Sequence, residues 1–167
     1  MRVALYGGTF DPIHHGHLIL ARDAIELLEL DRVIFIPAAI LGEPRFELDE
    51  SELARTGPSY TIDTVEAMRA RRPDTRLFYL IGHDNVAKLD TWHRIGDLRR
   101  LVEFIVFGRG EHDAPHPFPT LPRRVDISAS EIRDRVARGA SIRYLVPEPV
   151  RLLIEQHRLY RPAAPQP

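Results

Sequence analysis

Apolar runs and amphipathic stretches alternate along these 167 residues, and that alternation predicts an α/β fold with a mainly parallel sheet. Two further observations support it. The strand-like runs are continuously apolar, as strands covered on both faces are. The first of them also passes through a Gly-Gly corner straight into a helix-like stretch. Strands are expected at residues 3–6, 33–36, 46–48, 77–81 and 104–107, with 46–48 the weakest. Helices are expected at 18–30, 60–71, 95–101, 131–138 and 149–156. Ser59 or Thr61 would cap the second helix, and Ser128 or Ser130 the fourth. Residues 110–122, with four prolines, read as a loop. Residues 162–167 read as a disordered tail, leaving one domain over residues 1–161.

At this length one domain can bury a sizeable core. The 23 basic and 24 acidic residues leave a net charge of −1, which gives no electrostatic basis for binding nucleic acid or a membrane surface. Cysteine is absent, which excludes disulfides and thiolate metal sites and suits a reducing cytoplasm. The sequence enters a strand at once, without a signal-peptide pattern, and no apolar run approaches the roughly eighteen residues that span a bilayer. A cytoplasmic protein is expected, with no signal for its oligomeric state.

The most informative stretch is GGTFDPIHHGH, residues 7–17. Gly7 and Gly8 let the backbone approach a ligand closely, and the helix start that follows offers unpaired N–H groups and a positive dipole end. Such a corner suits phosphate. His14 and His17 lie three apart, on one face of a helical turn. Two imidazoles there can donate hydrogen bonds to a polyphosphate and stabilise charge on a leaving oxyanion. Taken alone, a glycine pair after a strand is an ordinary turn. Histidines at this spacing can also share a divalent ion, but no cysteine and no second helically spaced pair completes such a site.

The whole string resembles the signature of the adenylyltransferase branch of the nucleotidyltransferase superfamily, whose HxGH motif handles ATP phosphates. Residues 126–133, DISASEIR, resemble that branch's ISxTxIR motif. GPSYTIDT at 57–64 and IGHDN at 81–85 are most similar to the nicotinate-nucleotide adenylyltransferase family. The resemblance covers residues 2 to about 160, and implies a Rossmann-like doubly wound sheet of the nucleotidyltransferase type. It implies AMP transfer from ATP to nicotinate mononucleotide, giving deamido-NAD and pyrophosphate.

The resemblance also implies roles for particular residues. His14 and His17 would contact the triphosphate around the reacting phosphorus, cradled by Gly7, Gly8, Thr9 and Phe10, with Gly16 letting the helix start pack close. Asp11 and Pro12 would shape the turn. Ser128 and Ser130 would present hydroxyl and N–H groups at a helix start, and Arg133, one turn in, would grip the β- and γ-phosphates. By themselves these residues would make an ordinary capped helix, and Ser130 stands where the motif has Thr. Asp84, after Gly82 at the end of a strand, would sit near the ATP ribose or adenine; on its own it reads as an N-cap for residues 85–89. Tyr60 and Thr61 would hold the nicotinate carboxylate at a helix N-terminus, although a turn, a cap and an anchoring Tyr account for the same residues. Trp92 would stack on the pyridine ring. His93 replaces a frequent Tyr at the next position. Mg²⁺ is implied as an ion held by ATP phosphates and water, since no clustered carboxylates suggest a protein site.

One place breaks the pattern. Only residues 38–44 separate the second and third strands, where a parallel crossover needs about a dozen or more. Either the two strands form an antiparallel hairpin or a segment is missing. The resemblance points to the second, since relatives carry a PPHK-like loop and a helix here. A natural shortening, an engineered deletion or an omitted mobile segment would look alike, and an intact mass above 19.1 kDa would show the last. This link leaves a second reading open, a nucleotide-binding module without turnover. Nicotinamide mononucleotide and phosphopantetheine remain as rival acceptors. Phosphopantetheine adenylyltransferases usually have Thr where this chain has His14, and lack GPSYTIDT. A His-cluster metallohydrolase is a third reading, which chelators would inactivate and Mg²⁺ would not restore.

Overall fold

A computed structural model describes residues 1–36, 44–53, 55–108, 114–123 and 125–161. The strands are β1 (Arg2–Gly7), β2 (Arg32–Ile36), β3 (Phe46–Leu48), β4 (Arg76–Gly82), β5 (Glu103–Phe107) and β6 (Thr120–Leu121). The helices are α1 (His15–Leu27), α2 (Thr61–Arg71), α3 (His83–Val86), α4 (Ile95–Leu101), α5 (Ala129–Ala137) and α6 (Glu148–Gln156). The chain forms two compact units, Met1–Gly8 with Leu20–Arg124, and Thr9–Ile19 with Val125–Pro167.

The first unit holds a single six-stranded sheet in the order β3-β2-β1-β4-β5-β6. Every pairing is parallel. Successive side chains of a strand point to opposite faces. Val3 and Leu5, Ile34 and Ile36, Leu77, Tyr79 and Ile81, and Phe104 and Val106 therefore share one face, where they pack with Ile62, Val65 and Met68 of α2 and Leu98 of α4. The intervening Ala4, Tyr6, Phe35, Phe78, Leu80 and Ile105 are buried as well. Burial of both sets is why these strands read as unbroken apolar runs. The strand order is that of a Rossmann-like sheet, and it reverses between β1 and β4. The C-terminal ends of these two neighbours, at Gly7 and Gly82, mark the switch point where open α/β sheets take ligands. In the second unit, α5 and α6 enclose a smaller core of Ile132, Ile142, Val146 and Ile154.

Several expectations need correction. β2 and β3 pair in parallel, with Val33 opposite Phe46, so the antiparallel hairpin is excluded; residues 37–43 of their connection lie outside the described residues. Neither Ser59 nor Thr61 caps α2: Tyr60 occupies the N-cap, with no side-chain hydrogen bond. Asp84 is not an N-cap either, since Gly82 holds that place and Asp84 sits in the first turn of α3. The proline-rich stretch 110–122 contains β6, whose two residues pair with Val106 and Phe107. Ser128 does cap α5, its Oγ accepting the Glu131 N–H at 3.1 Å. The tail at 162–167 falls outside the described residues.

The chain before α2 is tied down by a polar cluster that hydrophobic patterning does not reveal. Thr64, fully buried in α2, donates to Glu52 Oε1 at 2.6 Å and accepts from Arg55 Nη1 at 2.8 Å. Replacing Thr64 by Val leaves both partners short of a hydrogen bond inside the fold. The expected loss is about 1–3 kcal/mol, read as a lower urea midpoint with an unchanged m-value.

Candidate active site

In the second unit, the loop after Gly8 brings two imidazoles face to face. The rings of His14 and His17 stack with centroids 3.7 Å apart and planes 20° off parallel, and Phe10 meets His17 edge-on at 4.9 Å. The His14 backbone N–H donates to His17 Nδ1 at 3.3 Å. A neutral His17 therefore carries its proton on Nε2 and uses that atom as donor. His14 is 5% exposed, and its Nδ1 has no hydrogen-bond partner among the described residues. A buried polar atom without a partner is uncommon, and is expected where a ligand completes the site. Gly16 makes this arrangement possible: a Cβ there would lie 2.9 Å from His14 Nδ1, which leaves no room for any other residue without displacing the ring.

Burial holds both imidazoles neutral. Desolvation first, then the neighbouring His15, lowers His14 to about 4; desolvation first, then His14, lowers His17 to about 3. Stacked rings this close could not both carry charge without repulsion.

The same unit brings Arg133 to this loop from far along the chain. Its Nη1 donates to the Asp11 carbonyl at 2.7 Å and its Nη2 to Ser130 Oγ at 3.2 Å. The Asp11 carboxylate accepts from the Tyr160 hydroxyl. The His15 N–H donates to the Leu145 carbonyl at 2.9 Å, fixing the start of α1. Of the predicted phosphate residues, the structure thus gathers Phe10, His14, Gly16, His17, Ser130 and Arg133, with Ser128 as the cap below them. Thr9 is exposed on the loop.

In the first unit, Gly7 closes β1 against Tyr79. A Cβ on Gly7 would lie 2.1 Å from the Tyr79 hydroxyl, so any other residue there has to displace the Tyr79 ring. Gly8 donates to the Ile36 carbonyl at 3.4 Å. Burial pushes the Tyr79 phenol up to about 12, against a hydrogen bond from Thr61 that lowers it. Trp92 meets Tyr79 and Phe104 edge-on at 5.8 and 6.3 Å, half-buried at the margin of the core. Tyr60, exposed, lies over the His93 ring at 4.3 Å. Arg94 donates to both oxygens of Glu66 at 3.2 and 2.8 Å, so the segment carrying Trp92 and His93 is clamped to α2. At the end of β4, Asp84 faces Tyr6 closely enough to add to the burial that raises that phenol.

Tyr79 and Tyr160 escape a motif search. Tyr79 lies in an apolar run, and its only sequence signal is a phenol in a buried strand, which needs a hydrogen-bond partner. Nothing local marks Tyr160. Among the described residues no three His, Cys, Asp or Glu side chains cluster as a metal site. Besides the two neutral rings, this loop and its neighbours offer the Ser130 hydroxyl, the Arg133 guanidinium and a single carboxylate, Asp11, which the Tyr160 hydroxyl already engages. That donor set fits a cation carried in by phosphates rather than one held by the protein.

The histidine pair makes stability depend on pH. Both folded values lie below the ordinary 6.5, so the unfolded chain binds more protons between about 6.5 and 3. Stability is therefore complete above pH 6.5 and falls as pH drops through this window. Each histidine contributes a slope of about 1.4 kcal/mol per pH unit at most. Urea unfolding at pH 7, 6 and 5 should show the decline, and His17→Gln should make it shallower.

Comparison with known proteins agrees with this geometry. A cytidylyltransferase-like family model matches residues 5–42 and 38–135. A relative from Geobacillus thermodenitrificans, named "Probable nicotinate-nucleotide adenylyltransferase", is 40% identical over 185 residues, covering 95% of this chain and 86% of its own. One of the same name from Exiguobacterium sibiricum is 40% identical over 187 residues, covering 96% and 99%. These alignments are longer than the 167 residues of this chain, so the relatives carry residues with no counterpart here. The two family matches meet at residues 38–42, where the strand pattern is too short for a crossover. The solved structure of Plasmodium falciparum nicotinic acid mononucleotide adenylyltransferase complexed with NaAD superposes with a TM-score of 0.76. It shares 18% identity over 95% of this chain and 97% of that one, and supports the fold. On the identity and coverage of its bacterial relatives, the chain belongs to the nicotinate-nucleotide adenylyltransferase family, among the cytidylyltransferase-like proteins.

Proposed function

We propose that this chain transfers the adenylyl group of ATP to nicotinate mononucleotide, forming deamido-NAD and releasing pyrophosphate. The observation that carries the reading is the stacked pair of neutral imidazoles, packed against Gly16 in the loop whose Asp11 carbonyl Arg133 meets. In the reaction, a phosphate oxygen of the acceptor attacks the α-phosphorus of ATP in line, and the bond to the bridging oxygen of pyrophosphate breaks. The protein forms no covalent bond, so its work is positioning and stabilising charge. His17 donates through Nε2 and His14 through its ring to oxygens around the reacting phosphorus. Neutral rings suit donors that must gain strength as charge develops on the leaving group. Arg133 takes the β- and γ-phosphates, with Ser128 and Ser130 at the head of α5. Thr9, Phe10 and Gly16 shape the phosphate loop of the second unit, and Gly7 and Gly8 lead the chain into it. Gly82 and Asp84 lie at the end of β4, where a ribose or adenine is received.

For the acceptor, α2 begins at Thr61 with no side chain capping its first N–H groups, which favours an anionic carboxylate there. Tyr60 and Trp92 supply aromatic surface for the pyridine ring. Mg²⁺, held by the phosphates and water, would offset their charge. Among the described residues no helix is long and apolar enough to cross a membrane, and we place the reaction in the cytoplasm.

A second reading, a nucleotide-binding module without turnover, is favoured by one observation: the relatives carry residues that this chain lacks. Pyrophosphate release with ATP and Mg²⁺ separates the two. Release with nicotinate mononucleotide, exceeding that with nicotinamide mononucleotide or phosphopantetheine, is the expected result. Silence with all three while ATP still binds would establish the binding module instead. His17→Ala should lower kcat by roughly two or more orders of magnitude with little change in ATP affinity, because its hydrogen bond matters most in the transition state. Near-wild-type turnover in that variant would remove His17 from the mechanism.

A further inference from the structure

We propose that Tyr160 is a positioning residue for ATP: its hydroxyl holds Asp11, and Asp11 in turn holds Arg133 ready to grip the triphosphate. The proposal rests on the reading above that Arg133 binds phosphate. All the residues involved lie in the second unit.

The chain reaches this contact through a helix ending that fixes the path. α6 stops at Gln156, with His157 as its C-cap. Arg158 then adopts a left-handed φ of 52° and donates to the Glu155 carbonyl at 3.3 Å, while Leu159 donates to the Ile154 carbonyl at 3.0 Å. This is a Schellman ending, normally built with glycine at the left-handed position. It turns the chain back, and Tyr160, itself left-handed at 61°, follows. A bulky residue in that region is costly, and persists where the surroundings determine it. Two surroundings do so here. The ring of Tyr160 packs on the core of Ile132, Ile142, Val146 and Ile154, and its hydroxyl donates to the Asp11 carboxylate. Burial, and then Asp11, raise the phenol to about 12, so it keeps the proton it donates at any working pH.

Asp11 is therefore bound on two sides. Its carboxylate is held by Tyr160, and its carbonyl accepts Arg133 Nη1 at 2.7 Å. Ser130 Oγ takes Nη2 at 3.2 Å. An arginine has five N–H donors, so these two bonds leave others to meet phosphate oxygens. A long side chain fixed before binding loses less rotamer freedom when the ligand arrives. The phenol thus acts on ATP affinity through two intervening residues, and touches neither ATP nor the reacting atoms.

Tyr160→Phe keeps the ring and removes only the hydroxyl. Titration calorimetry with ATP should show Kd weakened about three- to tenfold, with kcat within about twofold and the unfolding midpoint unchanged. Asp11→Ala, which keeps the carbonyl and removes the carboxylate, should weaken Kd alike, and the double variant no further. In an Arg133→Lys background, Tyr160→Phe should have little additional effect. Wild-type ATP affinity in Tyr160→Phe, or equal losses with and without Arg133, would overturn the proposal. Calorimetry needs no acceptor, so a chain that binds ATP but makes no product would refute the proposed function while leaving this test intact. An Arg133→Lys variant binding ATP like wild type would instead remove the premise itself.

Discussion

The structure depends on the placement of β1 between β2 and β4, in parallel register with both. A parallel strand so placed buries both of its faces and cannot be reached by a hairpin turn. Every neighbouring strand must then return through a crossover. β1 ends at Gly7, where the glycine lies against the Tyr79 hydroxyl of β4. The end of the strand and the reversal of strand order are therefore one local fact. A side chain on Gly7 would displace the Tyr79 ring at the end of these two strands.

The histidine loop shows how burial prepares chemistry. Two imidazoles removed from water and stacked on each other are held neutral, at the expense of stability in acid. Neutral imidazole is a donor with a defined tautomer, and the His14 backbone fixes that tautomer for His17. The bond is short in sequence, spanning three residues. The arginine beside the loop is different. It is brought there by a contact spanning 122 residues, and Asp11 is met in turn by Tyr160 across 149. Local sequence made the donors, and distant sequence aims the guanidinium.

Most of the fold was legible because parallel strands covered on both faces leave an unbroken apolar signature. Residues 77–81 and 104–107 announce themselves in that way. Short elements were not legible. β6 has two residues, too few for any periodicity, and prolines around it pointed to a loop. α3 has four residues and starts on Gly82, so Asp84 looked like a cap when it was already in the first turn. Tyr60 took the N-cap of α2 although Ser59 and Thr61 have better capping groups. There Tyr60 meets the tilted His93 ring, and the Thr61 side chain is engaged by Tyr79. At 38–44 the sequence left two alternatives, and strand direction removed the hairpin: β2 and β3 are parallel.

The sequence by itself determined the sheet class, the glycine corner, the two histidines and the Ser–Arg motif, because each is written in spacing over a few residues. It also carried the family resemblance. Tertiary structure decided the charge state of the imidazoles, the route by which Arg133 meets Asp11, and the part played by Tyr79 and Tyr160. Desolvation and long-range hydrogen bonds depend on what surrounds a residue in space. No local pattern of residues encodes that.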